Sequence, residues 1–169
     1  MKKYFVLPLL GGALVLTGCG KKEEASATAA TPPAKTDAPA APAVAVIEIT
    51  ASDAMKYSQT SFEVKAGQEV KLTLTNMGTM PKTAMGHNLV LLKKGADLKA
   101  YSDAAIMAAA TDYVPAALAD QVVAHTKLLG PKQSDEITFK APTEPGEYPF
   151  LCTFPAHYLA GMKGVMVVK

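Results

Sequence analysis

The sequence predicts a mainly β protein, a sandwich of short strands interrupted by one helical insertion around residues 98–110. Three observations carry that reading. Short apolar runs recur from about Ala43 to the C-terminus, and the clearest of them alternates with period two. Gly67, Gly78, Gly130-Pro131 and Pro145-Gly146 separate the runs as turns. One alanine-rich stretch departs from the pattern. Many short strands with Gly/Pro turns pack best as two sheets face to face.

The chain divides into three parts. Residues 1–18 read as a signal peptide: Lys2-Lys3 supplies positive charge and Tyr4 to Leu16 is apolar but short for a membrane span. The closing Leu16-Thr17-Gly18-Cys19 resembles a bacterial lipobox, which would make Cys19 the acylated first residue of a mature lipoprotein; the alternative is a plain signal cleaved elsewhere. Residues 19–43 hold that cysteine and an Ala/Pro-rich linker containing Pro32, Pro33, Pro39 and Pro42. Nothing in it can bury a core, and a Pro-rich spacer of this length reaches about 70 Å when extended. Residues 44–169 form one domain, long enough for a real core.

Within that domain Val46 to Ile49, Phe62 to Val64, and Val70 to Thr75 are strand candidates, the last with one buried and one wet face. His87 to Leu92, Ala124 to Leu129, Glu136 to Phe139, Tyr148 to Leu151 and Val165 to Val168 complete the set. Lys99 to Ala110 is predicted helical, with Leu98, Ile106 and Met107 available for an apolar face, and Pro115 limits its extension.

Composition removes several classes of function. All 17 basic residues are lysine, and without Lys2 and Lys3 they equal the 15 acids, so the mature chain is formally neutral. Nucleic-acid binding, which needs a positive excess and favours the guanidinium fork, is excluded as a reading. With Cys19 assigned to lipid, Cys152 stands alone. An exported protein with one cysteine has no internal disulfide, so the thiol needs another use, and metal ligation is one.

Cys152, His157 and Met162 fall within eleven positions, and His87 precedes them by a long interval. A thiolate, two imidazoles and a thioether form a soft, mixed donor set, the set of blue-copper electron-transfer sites with two His and one Cys in a plane and a weak axial Met. Singly each residue has a plainer reading: His87 as a strand histidine, Met162 as core filler, and Cys152 with His157 as nucleophile and base. For the last, no oxyanion-hole or base-orienting motif is present, so no enzymatic activity is expected.

Met85-Gly86-His87-Asn88 and Cys152-Thr153-Phe154-Pro155-Ala156-His157 resemble the azurin family of cupredoxins, as does Ala124-His125-Thr126-Lys127-Leu128-Leu129-Gly130. The resemblance runs from about Ile47 to Lys169 and implies a Greek-key cupredoxin β-sandwich holding one type 1 copper ion, cycling between Cu(II) and Cu(I). It implies copper ligation by His87, Cys152, His157 and Met162, with the Gly86 carbonyl as a weak further ligand. Asn88 would join the two ligand loops, and backbone N–H groups near Phe154 would donate to the Cys152 sulfur. Met55, Met85, Phe154, Pro155 and Ala156 would form an apolar docking patch around His157. The five-residue step from His157 to Met162 resembles auracyanins, where azurins proper have four. Azurins also carry a Trp, a disulfide and a Gly at the place of Ala156, all missing here. The expected protein is a monomeric one-electron carrier of the periplasm or cell envelope, held to a membrane (the outer one where the cell has it) by Cys19. Its partners would be redox proteins such as c-type cytochromes, oxidases or reductases.

Overall fold

The computed structural model describes residues 43–169; the signal, lipobox and most of the linker read from the sequence lie outside the described residues. The elements run β1 (Ala45–Ser52), β2 (Lys56–Tyr57), β3 (Ser61–Val64), β4 (Glu69–Asn76), the one-turn α1 (Lys82–Met85), β5 (Val90–Leu92), α2 (Leu98–Ala105), 3₁₀ turns at Ala109–Thr111 and Ala116–Gln121, β6 (Val122–His125), β7 (Ser134–Lys140), β8 (Gly146–Leu151) and β9 (Lys163–Val168). Two sheets result, ordered β2-β1-β4-β7 and β3-β9-β8-β5-β6. The chain crosses between them repeatedly, and β1 lies parallel to β4 as β3 does to β9.

Period-two patterning builds the core. Val70, Leu72 and Leu74 of β4 point inward beside Ile49 of β1, while Lys71, Thr73 and Thr75 stay partly wet. From the other sheet Phe62, Val64, Tyr148, Phe150, Met166 and Val168 meet them. Strand β5 is different: Val90, Leu91 and Leu92 are all buried, which a sheet allows only when both its faces are covered.

The insertion supplies that second cover. Asp97 caps α2, its carboxylate accepting from the backbone N–H of Lys99 at 2.9 Å and Ala100 at 3.1 Å. Tyr101 and Ala105 are the buried residues of α2. Tyr101 joins Val90, Leu92 and Leu151 in a second apolar cluster, with Leu98, Val114, Leu118 and Tyr158 around it. The sequence predicted a longer helix with Ile106 and Met107 on its apolar face. Instead α2 ends at Ala105, and Met107 is 88% exposed. The chain turns at Ile106–Ala108 to bring Val114 and Leu118 back onto the sheet, so these residues fall on the outside of the bend.

Gly164 shows how tightly the sandwich closes. It pairs with Phe150 across β8 and β9, and a Cβ there would collide with the Phe150 ring and with the Thr60 carbonyl. The carbonyl is backbone and cannot swing away. Gly164→Ala is therefore expected to lower stability by about 1–3 kcal/mol, as overpacking does, measured by urea unfolding; an unchanged midpoint would show that the strand pair can open.

Candidate metal centre

Three donors meet at one end of the sandwich. The ring nitrogens of His87 and His157 and the sulfur of Cys152 lie within 4.8 Å of one another, all on buried residues. Each arrives by a different local device. Cys152 follows the end of β8, and its N–H bonds to the Met162 carbonyl at 3.1 Å, closing the loop that leads to β9. Inside that loop the His157 N–H donates to the Phe154 carbonyl at 3.1 Å, and the Met162 N–H to the His157 carbonyl at 3.0 Å. Ala156 takes φ 70°, a left-handed turn that suits glycine better.

His87 was expected within a strand but sits just outside β5, in an isolated bridge with Leu129. Its N–H reaches the Leu129 carbonyl at 3.1 Å, and the Leu129 N–H returns to the His87 carbonyl at 2.8 Å. The buried Asn76 side chain donates to the same Leu129 carbonyl at 3.2 Å, anchoring the turn that holds His87. Gly86 precedes it where a Cβ would come within 2.7 Å of the Lys82 carbonyl and 3.0 Å of Leu128. Only glycine lets α1 turn so closely into the ligand.

Asn88 ties the two loops together. Its amide oxygen accepts from the Thr153 N–H at 2.9 Å and its amide nitrogen donates to the Thr153 hydroxyl at 2.8 Å. Tyr57, a residue with no legible role in the sequence, is buried beside it and donates its hydroxyl to the Asn88 carbonyl at 2.5 Å.

The electrostatics describe a pocket of neutral donors. Burial pushes the Cys152 thiol up to about 12, against the backbone N–H groups of Asn88 and Phe154, which favour the thiolate. Burial pushes His157 down to about 4, with His87 adding repulsion, and burial also lowers His87. Cys152 Sγ and His157 Nδ1 are 3.4 Å apart. Both nitrogens of His87 are buried with no hydrogen-bond partner among the described residues. Unpaired buried nitrogens are costly. A soft cation beside them would take one nitrogen of each ring and stabilise the thiolate, so the residues present fit copper. They do not fit a cysteine nucleophile, since a fully buried protonated thiol is inert.

The other expected residues distribute unevenly. Met162 is wholly buried beside the site. Met55, Met85 and Pro155 are half-buried and Ala156 is exposed, but Phe154 lies beneath them at 8% exposure. His157 is 2% exposed, so its ring is covered rather than open. Leu159, unmarked in the sequence reading, projects from the ligand loop at 76% exposure. His125 is exposed and stands apart from the donor cluster.

Acid should therefore destabilise the metal-free protein. Unfolded, the His157 ring binds a proton below about 6.5; folded, it does so only near 4. Between these values the unfolded chain holds more protons, so stability falls as pH drops from about 6.5 to about 4. The loss is about 3 kcal/mol at most for a shift of this size. Urea unfolding of the metal-free form across that window checks it; a flat profile would show that the ring is solvated.

Comparison with known proteins agrees with this geometry. Residues 44–169 match the family model described as copper binding proteins, plastocyanin/azurin family. Auracyanin-B of Chloroflexus aurantiacus is 38% identical over 128 residues, 75% of this chain and 53% of that protein. Outer membrane protein H.8 of Neisseria meningitidis is 41% identical, over 64% of this chain and 60% of its own. The chain thus spans between about half and two thirds of these relatives. Azurin of Achromobacter denitrificans is 39% identical over 70% of this chain and 80% of its own. Among solved structures, dithionite-reduced auracyanin from Roseiflexus castenholzii superposes with a TM-score of 0.66 at 43% identity, covering 73% of this chain and 96% of that one. With its sandwich, its buried His-Cys-His cluster and these matches, the chain belongs to the plastocyanin/azurin family of copper-binding proteins.

Proposed function

We propose that this protein carries single electrons between redox proteins of the cell envelope, using one type 1 copper ion held by His87, Cys152, His157 and Met162. The observation that carries the reading is the convergence of two imidazoles and one thiol, all dry, on one point of a β frame. Bound copper supplies a Cu(II)/Cu(I) couple able to take up and release one electron. The chain's own part is to hold the donors still. Cys152 gives up its thiol proton when metal enters, whereas both imidazoles are already neutral and release none. Met162, buried and joined through its backbone to Cys152 and His157, would supply a weak thioether donor, and the Gly86 carbonyl would be a further weak one.

Exclusion of water is the second contribution. Phe154 lies tilted against His157, the ring centroids 4.8 Å apart, and the His87 ring is tilted against it at the same separation. Met55, Met85, Pro155 and Ala156 lie around this cover, and Leu159 adds the most exposed apolar side chain of the loop. A small apolar surface over a redox ligand suits brief docking with cytochromes, oxidases or reductases. The relative named as an outer membrane protein supports export to the cell envelope; the Leu16-Thr17-Gly18-Cys19 sequence supports a tether through lipidated Cys19 and the 19–43 linker, with 44–169 as the electron-carrying domain.

The direct test is metal loading. Added Cu(II) should give an intense blue colour that bleaches on reduction and returns on oxidation, and Cys152→Ser should lose the colour entirely because it needs a thiolate–copper bond. A colourless, redox-silent complex would refute the proposal. Met162→Leu should keep copper and raise the reduction potential by roughly 50 mV, about a tenfold change in the one-electron equilibrium, read by protein-film voltammetry; an unmoved potential would show that Met162 is not axial.

A further inference from the structure

The insertion does more than cover a sheet, because its far corner reaches both ligand loops. Asp112 and Tyr113 have φ 53° and 61°, two adjacent left-handed residues without a glycine. No other adjacent pair of non-glycine residues among the described ones has this geometry. A side chain in this region is uncommon, and a bulky one more so, and it persists only where the surroundings enforce it. A simple cover needs no such corner.

What enforces it is a set of contacts with the metal centre. The Asp112 carbonyl accepts from the Asn88 amide nitrogen at 2.9 Å. The Asp112 carboxylate accepts from the Leu128 N–H at 3.2 Å and faces Lys82 Nζ at 3.4 Å. Leu128 precedes the Leu129 that pairs with His87. The Tyr113 ring meets Phe154 edge-on at 5.3 Å, and Phe154 in turn lies on His157. The corner itself is closed from within the insertion, the Tyr113 N–H donating to the Ala108 carbonyl at 2.9 Å and the Thr111 hydroxyl to the Val114 carbonyl at 2.7 Å.

We infer that the Asp112–Tyr113 corner is a positioning element of the copper site, holding the Asn88 amide and the Phe154 ring and through them the spacing of His87, Cys152 and His157. The inference rests on the copper reading above, but its first test needs no metal. In the metal-free full chain, the Thr153 N–H is bonded to the Asn88 amide and reports how well the loops are joined. The Leu72 N–H, in the middle of β4, reports the frame.

Asp112→Ala and Tyr113→Leu should raise hydrogen exchange at Thr153 about tenfold over any change at Leu72, the effect of losing about one hydrogen bond or ring contact. Asp112→Asn and Tyr113→Phe, which keep the acceptor and the ring, should stay within about twofold of the parent at Thr153. Leu118→Ala, which loosens only the cover, should move both amides alike. With copper bound, Asp112→Ala and Tyr113→Leu should also lose metal to a chelator about tenfold faster than the parent. If Thr153 merely follows Leu72 in Asp112→Ala and Tyr113→Leu, the corner is part of the cover and the inference falls. A parent protein that gives no blue complex would overturn the copper reading alone, leaving the exchange result to decide the corner.

Discussion

A thiol and two imidazoles, none charged and none wet, have to be kept within touching distance of one another, and the rest of the structure answers to that requirement. Buried polar groups without partners are among the most expensive features a fold can contain. Here the cost is visible in His87, whose two nitrogens bond to nothing described, and in Cys152 and His157, pushed by burial in opposite directions towards neutrality. The donors remain together because the backbone around each is fully engaged. Leu129 and Asn76 hold the His87 segment, Met162 closes the Cys152 loop, and Asn88 with Thr153 joins the two. Outside the site, the Tyr101 hydroxyl is the only other buried side-chain nitrogen or oxygen without a partner among the described residues.

The frame's asymmetry follows from the same need. One sheet keeps an outer face of lysine, threonine and glutamate residues, such as Lys71 and Glu136, which form a surface ion pair worth little. The other sheet carries β8, the strand that leads into Cys152, and neighbouring β5, close to His87. Within that sheet β5 and the end of β8 are buried on both faces, by the core within and by the insertion without. Packing on two faces restricts strand motion where the ligands are attached.

Much of this was legible in the residues alone, and the reasons differ by element. The ligands stood out because Cys and His are scarce in this chain, and scarcity makes their spacing informative. Strand β4 was legible because alternation has one interpretation when one face is wet. The insertion was not. Helical spacing in Lys99 to Ala110 fits an apolar Ile106 and Met107 as well as an apolar Tyr101 and Ala105, and only the bend after Ala105 decides between them. Phe154 was placed in the docking patch by the family resemblance; Tyr113, which packs against it, comes from forty-one positions earlier and leaves no local signal. Tyr57 and Leu159 were missed for the same reason, one being defined by a bond across the fold and the other by a loop that bulges outward.

Strand β9 pairs in parallel with β3, more than a hundred positions earlier, and the residues immediately before β9 complete the ligand loop. Parallel pairing over such a separation is among the slower events in folding. The pocket thus becomes whole only when the ends of the domain have met. Before that meeting, Cys152, His157 and Met162 already lie on one short loop, and the distant His87 is the donor that the folded frame has to bring to them.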